Sequence, residues 1–300
     1  MATSLPDLSG RTFIVTGANS GLGLATTQAL AGHGAHVVMA VRDLDRGRSA
    51  ASSVAGSVAV RRLDLADLDS VREFAAGIIA GGLGVDVLIN NAGIMMPPRT
   101  LTKQGFEIQF GTNHLGHFAL TGLLLDTLRT GRDARVVTVS SGLHRGGAIH
   151  FDDLDGARHY GRVTFYAQSK LANVLFGLEL DRRLRAADVP IRSLLAHPGY
   201  AATNLQITGP GRLRAAVMRL GNMMFAQDAA AGARSQLHAA TAPDVSGGQF
   251  YGPSRWRELR GAPTVVQPDR AATDPATARR LWAVSEDLTG VRYPLPVPTG

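Results

Sequence analysis

Tyr166 and Lys170 stand four residues apart in the run Tyr166-Ala167-Gln168-Ser169-Lys170, inside a stretch whose spacing predicts a long helix over residues 165–185. Side chains four apart share a helix face, so a phenol and an ammonium are expected to project into one space. A free phenol titrates at about pH 10. A neighbouring cation stabilises the phenolate, and the positive ring of an oxidised nicotinamide would add to this, so such a tyrosine can act as acid or base near neutrality. Lysine occurs only at Lys103 and Lys170 in a chain that otherwise uses arginine. That scarcity gives the pair a weight that the bare spacing lacks.

Other residues are placed to converge on this pair. Val136-Val137-Thr138-Val139-Ser140-Ser141 ends an apolar run with two hydroxyls, at the edge where open α/β sheets bind their ligands. One of the two can hold a substrate oxygen as negative charge grows on it. Asn113, early in a helix predicted over residues 111–129, can anchor a water that feeds protons toward Lys170. Thr16-Gly17-Ala18-Asn19-Ser20-Gly21-Leu22-Gly23 follows an apolar strand, where glycines let backbone approach a pyrophosphate at a helix N-terminus. Asn90-Asn91-Ala92-Gly93 follows another strand and is expected to wall the same cofactor cleft.

The second strand ends in Val41-Arg42-Asp43. A carboxylate at its end would accept from the ribose 2′-hydroxyl of NAD. Val41 takes that place instead, and the Arg42 guanidinium can fork onto a 2′-phosphate. This predicts NADP(H) over NAD(H), with Asp43 pointing away or capping the next helix.

Strands are expected over 11–16, 35–41, 58–63, 85–89, 135–139, 191–196 and 249–252. Helices are expected over 21–32, 44–53, 68–79, 111–129, 165–185 and 227–241. Alternation at this rhythm predicts one doubly wound α/β Rossmann domain over residues 1–300, its seven-stranded, mostly parallel sheet covered by helices on both faces. Residues 204–242 are expected to form a substrate flap and a helix within that domain, and the Pro-rich 293–300 a loose tail.

Composition narrows the classes. Apolar residues form 45% of the 300, enough for a large core, and there is no cysteine, so disulfides and thiolate chemistry are excluded. The net charge of +7 comes from scattered arginines with no run of like charge, which argues against a nucleic-acid partner. The N-terminal residues lack a signal-peptide pattern and no apolar stretch is long enough to span a membrane, so a cytoplasmic location is expected. The Arg, Ala and Gly bias points to a bacterial source. His114 and His117, three apart without a carboxylate or cysteine at helical spacing, are read as packing residues, and no metal site is expected.

Taken together, these motifs resemble the short-chain dehydrogenase/reductase family across nearly the whole chain. The matching pieces are T-G-A-N-S-G-L-G from Thr16, Asp64-Leu65, N-N-A-G from Asn90, Asn113 in N-H-L-G-H-F, the double serine, Y-A-Q-S-K from Tyr166, and His197-Pro198-Gly199. N-H-L-G-H-F and S-K-L-A-N-V-L-F resemble the branch of retinol dehydrogenases and WW-domain-containing oxidoreductases. The resemblance implies a catalytic tetrad of Asn113, Ser141, Tyr166 and Lys170, the family's habit favouring the second serine. It implies adenine contacts from Asp64 and Leu65, and nicotinamide contacts from Pro198, Gly199 and Thr203. The long Ser141–Tyr166 interval, holding Asp152, Asp153 and Asp155, suits that branch. No membrane anchor is expected, so retinoid activity is not carried over.

The expected reaction is reversible carbonyl reduction on a medium-sized lipophilic ketone, aldehyde or secondary alcohol, the apolar residues near Met95 and Met223 lining its pocket. The rival from another class is a non-catalytic NADP(H)-binding regulator or scaffold, whose mark would be loss of the Tyr-Lys pair. By analogy the two long helices are expected to pack in a homodimer or homotetramer.

Overall fold

The computed structural model describes residues 5–199 and 229–298. Eight strands form one sheet: β1 (Thr12–Thr16), β2 (His36–Val41), β3 (Ser57–Arg62), β4 (Val87–Asn90), β5 (Arg135–Val139), β6 (Arg192–Ala196), β7 (Phe250–Arg255) and β8 (Arg260–Val265). Their order is β3-β2-β1-β4-β5-β6-β7-β8, parallel throughout except for the antiparallel β7–β8 pair. The order reverses between β1 and β4, and the crevice at such a switch point is where doubly wound sheets take ligands.

Both faces of the sheet are covered, which is why the central strands read as unbroken apolar runs. Successive side chains of β1 go to opposite cores. Ile14 joins Leu88, Val136, Phe118 and Phe176 on one face, while Phe13 and Val15 join Val37, Val137 and Leu194 on the other. Helices α1 (Gly21–Ala31), α2 (Leu44–Ala51), α3 (Leu68–Ala80), α7 (Arg162–Ala186) and α8 (Ala229–Thr241) occupy the stretches expected of them, within a few residues.

Three expectations need correction, and one helix is unanticipated. The sheet has eight strands, because the chain after β7 turns back as a hairpin. The helix predicted over 111–129 is broken into α4 (Ile108–Phe110), a wide π turn (Gly111–Leu115), α5 (Gly116–Leu123) and α6 (Leu125–Arg129). A further helix, α9 (Pro275–Thr289), starts with Asp274 capping the N–H groups of Ala276 and Thr277 and ends at Gly290 in the left-handed conformation. The start of the supposedly loose tail is fixed, since Tyr293 and Leu295 are buried. The cause is an aromatic seam: Trp282 and Tyr293 meet edge to face at 4.6 Å and approach Phe118 at 5.2 and 4.9 Å. The Tyr293 hydroxyl donates to the Phe118 carbonyl at 2.6 Å. The predicted flap, with Met218, Met223, Met224 and Phe225, lies outside the described residues apart from its last part, α8.

Candidate active site

Parallel strands deliver their C-terminal ends to one edge, and α7 lays its buried face across that edge beside β5. Tyr166 and Lys170 are both buried, and the Lys170 Nζ stands 5.8 Å from the centre of the Tyr166 ring. Nζ donates to the Val139 carbonyl at 3.3 Å. The two serines that end β5 have different partners. Ser140 is buried and its hydroxyl donates to the Lys170 carbonyl at 2.8 Å. Ser141 is half-buried, hydrogen-bonds the Tyr166 phenol, and accepts from the Leu143 N–H at 3.3 Å.

Burial governs the protonation of both groups. It pushes the Tyr166 phenol up to about 12, against the downward pull of the Ser141 hydrogen bond. It pushes the Lys170 ammonium down to about 8. The sequence suggests a phenol lowered by a cationic neighbour; the largest influence on it here is instead the cost of burying an anion. At neutral pH the phenol holds its proton.

Asn113 sits in the π turn, fully buried, with both amide protons engaged: they go to the Ile94 carbonyl at 3.0 Å and the Ser169 hydroxyl at 2.9 Å. Its Oδ1 accepts from the Ile94 N–H at 2.8 Å, closing a ring with that residue. Its main-chain carbonyl accepts from His117 Nδ1 at 2.9 Å. The side chain of Asn113 therefore pins the loop that continues from Asn90-Asn91-Ala92-Gly93. A methyl at Gly93 would stand 3.3 Å from Lys170 Nζ and 3.4 Å from Asn113 Oδ1, so that loop runs directly past the catalytic face.

The glycine-rich turn fits a dinucleotide. Gly17 and Gly21 adopt left-handed φ of 67° and 52°. A Cβ at Gly23 would lie 2.3 Å from the Gly17 carbonyl and 2.7 Å from Asn91 Nδ2, so only glycine closes this turn. Ser20, the residue before α1, makes no side-chain cap, leaving the first N–H groups of that helix, those of Gly21, Leu22 and Gly23, open to an anion alongside Asn19. Thr16 holds the turn to the N-N-A-G loop, its hydroxyl accepting from the N–H groups of Asn91 and Ala92 at 2.9 Å each. That hydroxyl also meets His117 Nε2 at 2.9 Å, which must accept because Nδ1 donates to Asn113. Burial pushes His117 down to about 4. Asn90 is buried and donates to the Thr121 hydroxyl.

At the end of β2, Arg42 is exposed and makes no ion pair among the described residues, while Asp43 caps α2 through the N–H groups of Asp45 and Arg46. Asp64 is half-buried, its carboxylate turned onto the Ala66 N–H, and Leu65 is buried against Gly116. After β6, Pro198 and Gly199 are half-buried at the same sheet edge. Thr203 lies outside the described residues.

Several residues that sequence reasoning did not single out hold this edge together. Gln109 accepts from the Met96 N–H at 2.7 Å and Tyr160 donates to the Pro97 carbonyl at 3.0 Å, so Met95-Met96-Pro97-Pro98 is strapped to the stretch before α7. The buried Glu107 carboxyl, raised by burial, accepts from the Phe110 N–H and from Tyr160. None of these has a sequence signal, since each acts through a non-local partner. His114 is pushed down to about 3 by burial and bonds Ser285 within the aromatic core. A cleft of about 420 Å³ opens elsewhere, beside Leu178, Asp181 and Val266, and contains none of the converging residues. Among the described residues no cluster of metal-ligating side chains occurs, and no helix is long and apolar enough to cross a membrane.

Comparison with known proteins gives the same outline. The family model for short chain dehydrogenases matches residues 11–209. Human retinol dehydrogenase 13 is 42% identical over 96% of this chain and 87% of its own length. Mouse polyprenol dehydrogenase is 42% identical over 95% of this chain and 86% of its own. The crystal structure of an uncharacterised protein from Mycobacterium Paratuberculosis superposes with a TM-score of 0.85 at 49% identity, covering 98% of this chain and 99% of that one. A Beutenbergia cavernae chain assigned as an NAD(P)-dependent gluconate 5-dehydrogenase, with NADP bound at low occupancy, is 27% identical with a TM-score of 0.62, covering 81% and 95%.

Proposed function

Since the chain belongs to the short-chain dehydrogenase/reductase family, an NAD(P)(H)-dependent group of oxidoreductases, we propose that it is an NADP(H)-dependent enzyme that interconverts a medium-sized lipophilic carbonyl compound and its alcohol, with Tyr166 as acid and base. The observation that carries this reading is the meeting of Ser141, Tyr166 and Lys170 at one sheet edge, beside a turn shaped for a pyrophosphate.

When bound, the cofactor supplies or accepts the hydride at its nicotinamide ring. The residues of the chain do the rest. The open N–H groups of Gly21, Leu22 and Gly23 receive the pyrophosphate, and Arg42, unpaired at the strand end, receives the 2′-phosphate. Asn90, Asn91, Ala92 and Gly93 wall the cleft, with Asp64 and Leu65 toward the adenine and Pro198 and Gly199 toward the nicotinamide. Ser141 donates to the substrate oxygen. Tyr166, protonated at neutral pH, gives its proton to that oxygen in the reducing direction. Lys170 restrains the anion left on the phenol, and Asn113 keeps the Ile94 loop against the pair. In the oxidising direction the phenolate must form first, so oxidation should be favoured at higher pH.

Relatives named for retinol and polyprenol, both long apolar alcohols, support a lipophilic substrate. A cytoplasmic homo-oligomer remains part of the proposal. The test is a screen of aldehydes, ketones and alcohols followed by NADPH absorbance, with NADH in parallel and Tyr166→Phe as control. Turnover that Tyr166→Phe removes, with NADPH binding kept, supports the reading. NADPH binding without turnover on any substrate favours the non-catalytic alternative.

A further inference from the structure

Glu258 lies in the turn between β7 and β8, a hairpin to which no step of the reaction has been assigned. Its carboxylate holds two loops at once. Arg145 donates to both oxygens, at 2.8 and 3.0 Å, from the segment that follows Ser141. His197 Nε2 donates at 2.9 Å from the residue that opens the Pro198-Gly199 loop. The tautomer follows from the partners, because the Gly199 N–H donates to Nδ1 at 3.2 Å and leaves the proton on Nε2. Burial holds His197 down at about 4, so this imidazole is a neutral donor at neutral pH.

The hairpin also lies directly on the nicotinamide loop. A Cβ at Gly199, whose φ is 70°, would meet the Leu259 carbonyl at 2.5 Å and the Glu258 carbonyl at 2.9 Å. The chain that follows β8 straps the serine loop. Arg145 donates to the Gln267 carbonyl at 3.0 Å, and the Asp269 N–H donates to His144 Nε2 at 3.3 Å. His144 Nδ1 in turn donates to the Ser141 carbonyl at 2.7 Å. The turn is itself strained: Trp256, Arg257 and Glu258 have φ of 54°, 54° and 64°, three consecutive non-glycine residues in the left-handed region. Such conformations persist only where surrounding contacts over-determine them, and they gather at functional sites.

We propose that Glu258 is a positioning residue that fixes the Ser141 loop and the Pro198-Gly199 loop in one mutual geometry, a role that rests on the oxidoreductase reading above. Substrate oxygen and hydride carrier are held by different loops, and nothing between them is covalent. A carboxylate bonded to both sets the distance at which they meet.

The test compares Glu258→Ala and Glu258→Gln with Trp256→Ala, a control at a residue of the same turn that is 64% exposed. Hydrogen exchange on the ligand-free protein reads residues 142–147 and 197–199, nucleotide fluorescence reads NADPH affinity, and steady-state kinetics read kcat and KM. Glu258→Ala should raise exchange in both segments, weaken NADPH binding, and lower kcat by roughly 10- to 100-fold, the penalty of an ångström-scale misplacement. Glu258→Gln, which keeps the shape and an acceptor for His197, should fall between, and Trp256→Ala should match the wild type. Loosening of only one segment, or an equal effect from Trp256→Ala, overturns the proposal. If the wild type turns over no substrate, the oxidoreductase reading fails, while exchange and NADPH affinity still judge Glu258.

Discussion

Replacing Lys170 by methionine should abolish activity and stabilise the protein. Burial moves the ammonium from its ordinary 10.5 to about 8, and at about 1.4 kcal/mol per pH unit this displacement amounts to about 3 kcal/mol against the folded state while the group is charged. Methionine has nearly the same length and no charge to desolvate. It forfeits the long 3.3 Å bond to the Val139 carbonyl and the ammonium's approach to the Tyr166 ring, so a net gain of about 1–2 kcal/mol at pH 7 is expected. The sign of the pH dependence is fixed by linkage. Between pH 8 and 10.5 the unfolded lysine still binds its proton and the folded one has released it, so wild-type stability from this group rises with pH. The advantage of Lys170→Met should therefore be full below pH 8 and shrink toward pH 10. Urea unfolding followed by circular dichroism at pH 7, 8.5 and 9.5 measures it. A variant no more stable than wild type at pH 7, or a gap that stays constant across that series, would refute the reasoning.

Three other perturbations test separate parts of the structure. Gly23→Ala puts a methyl 2.3 Å from the Gly17 carbonyl and should weaken NADPH binding at least tenfold, read by nucleotide fluorescence, because the turn must open to accept it. Arg42→Asp would exchange the proposed 2′-phosphate fork for a carboxylate able to accept from a ribose; the ratio of kcat/KM with NADPH to that with NADH should fall by roughly 10- to 100-fold, and an unchanged ratio places the 2′-phosphate elsewhere. Trp282→Ala empties the centre of the aromatic seam and should cost about 3–5 kcal/mol in urea unfolding, while a loss under about 1 kcal/mol would show that the seam collapses to fill the gap.

Much of this arrangement is legible in the sequence because it is local or periodic. The glycine turn announces itself by its place after an apolar strand, and Tyr166 and Lys170 by a helical spacing that the structure keeps. The double serine is legible only as a pair: what separates Ser140 from Ser141 is that one hydroxyl reaches the Lys170 carbonyl, 30 residues away. The break in the helix over 111–129 is hidden for a similar reason, since the π turn is buttressed by Asn113 bonds to Ile94 and Ser169. β8 escapes notice because Arg260-Gly261-Ala262-Pro263-Thr264-Val265 has no alternation and carries a proline, which a sheet accepts at its edge. α9 did leave signals, an Asp274-Pro275 start and a Gly290 stop, with Ala278, Leu281, Trp282 and Ser285 on its buried side. Glu258 could not have been found from the sequence, because its meaning lies in Arg145 and His197, 113 and 61 positions away.

The bond from Tyr293 to Phe118 spans 175 positions. A ribosome adding about 5–20 residues per second needs roughly 10–35 s to travel that far. Through that interval the rings of the middle helices lack the aromatic partners that cover them in the finished fold. Slower elongation lengthens that exposure and faster elongation shortens it, so the yield of folded chain should respond to holding chaperones present during synthesis.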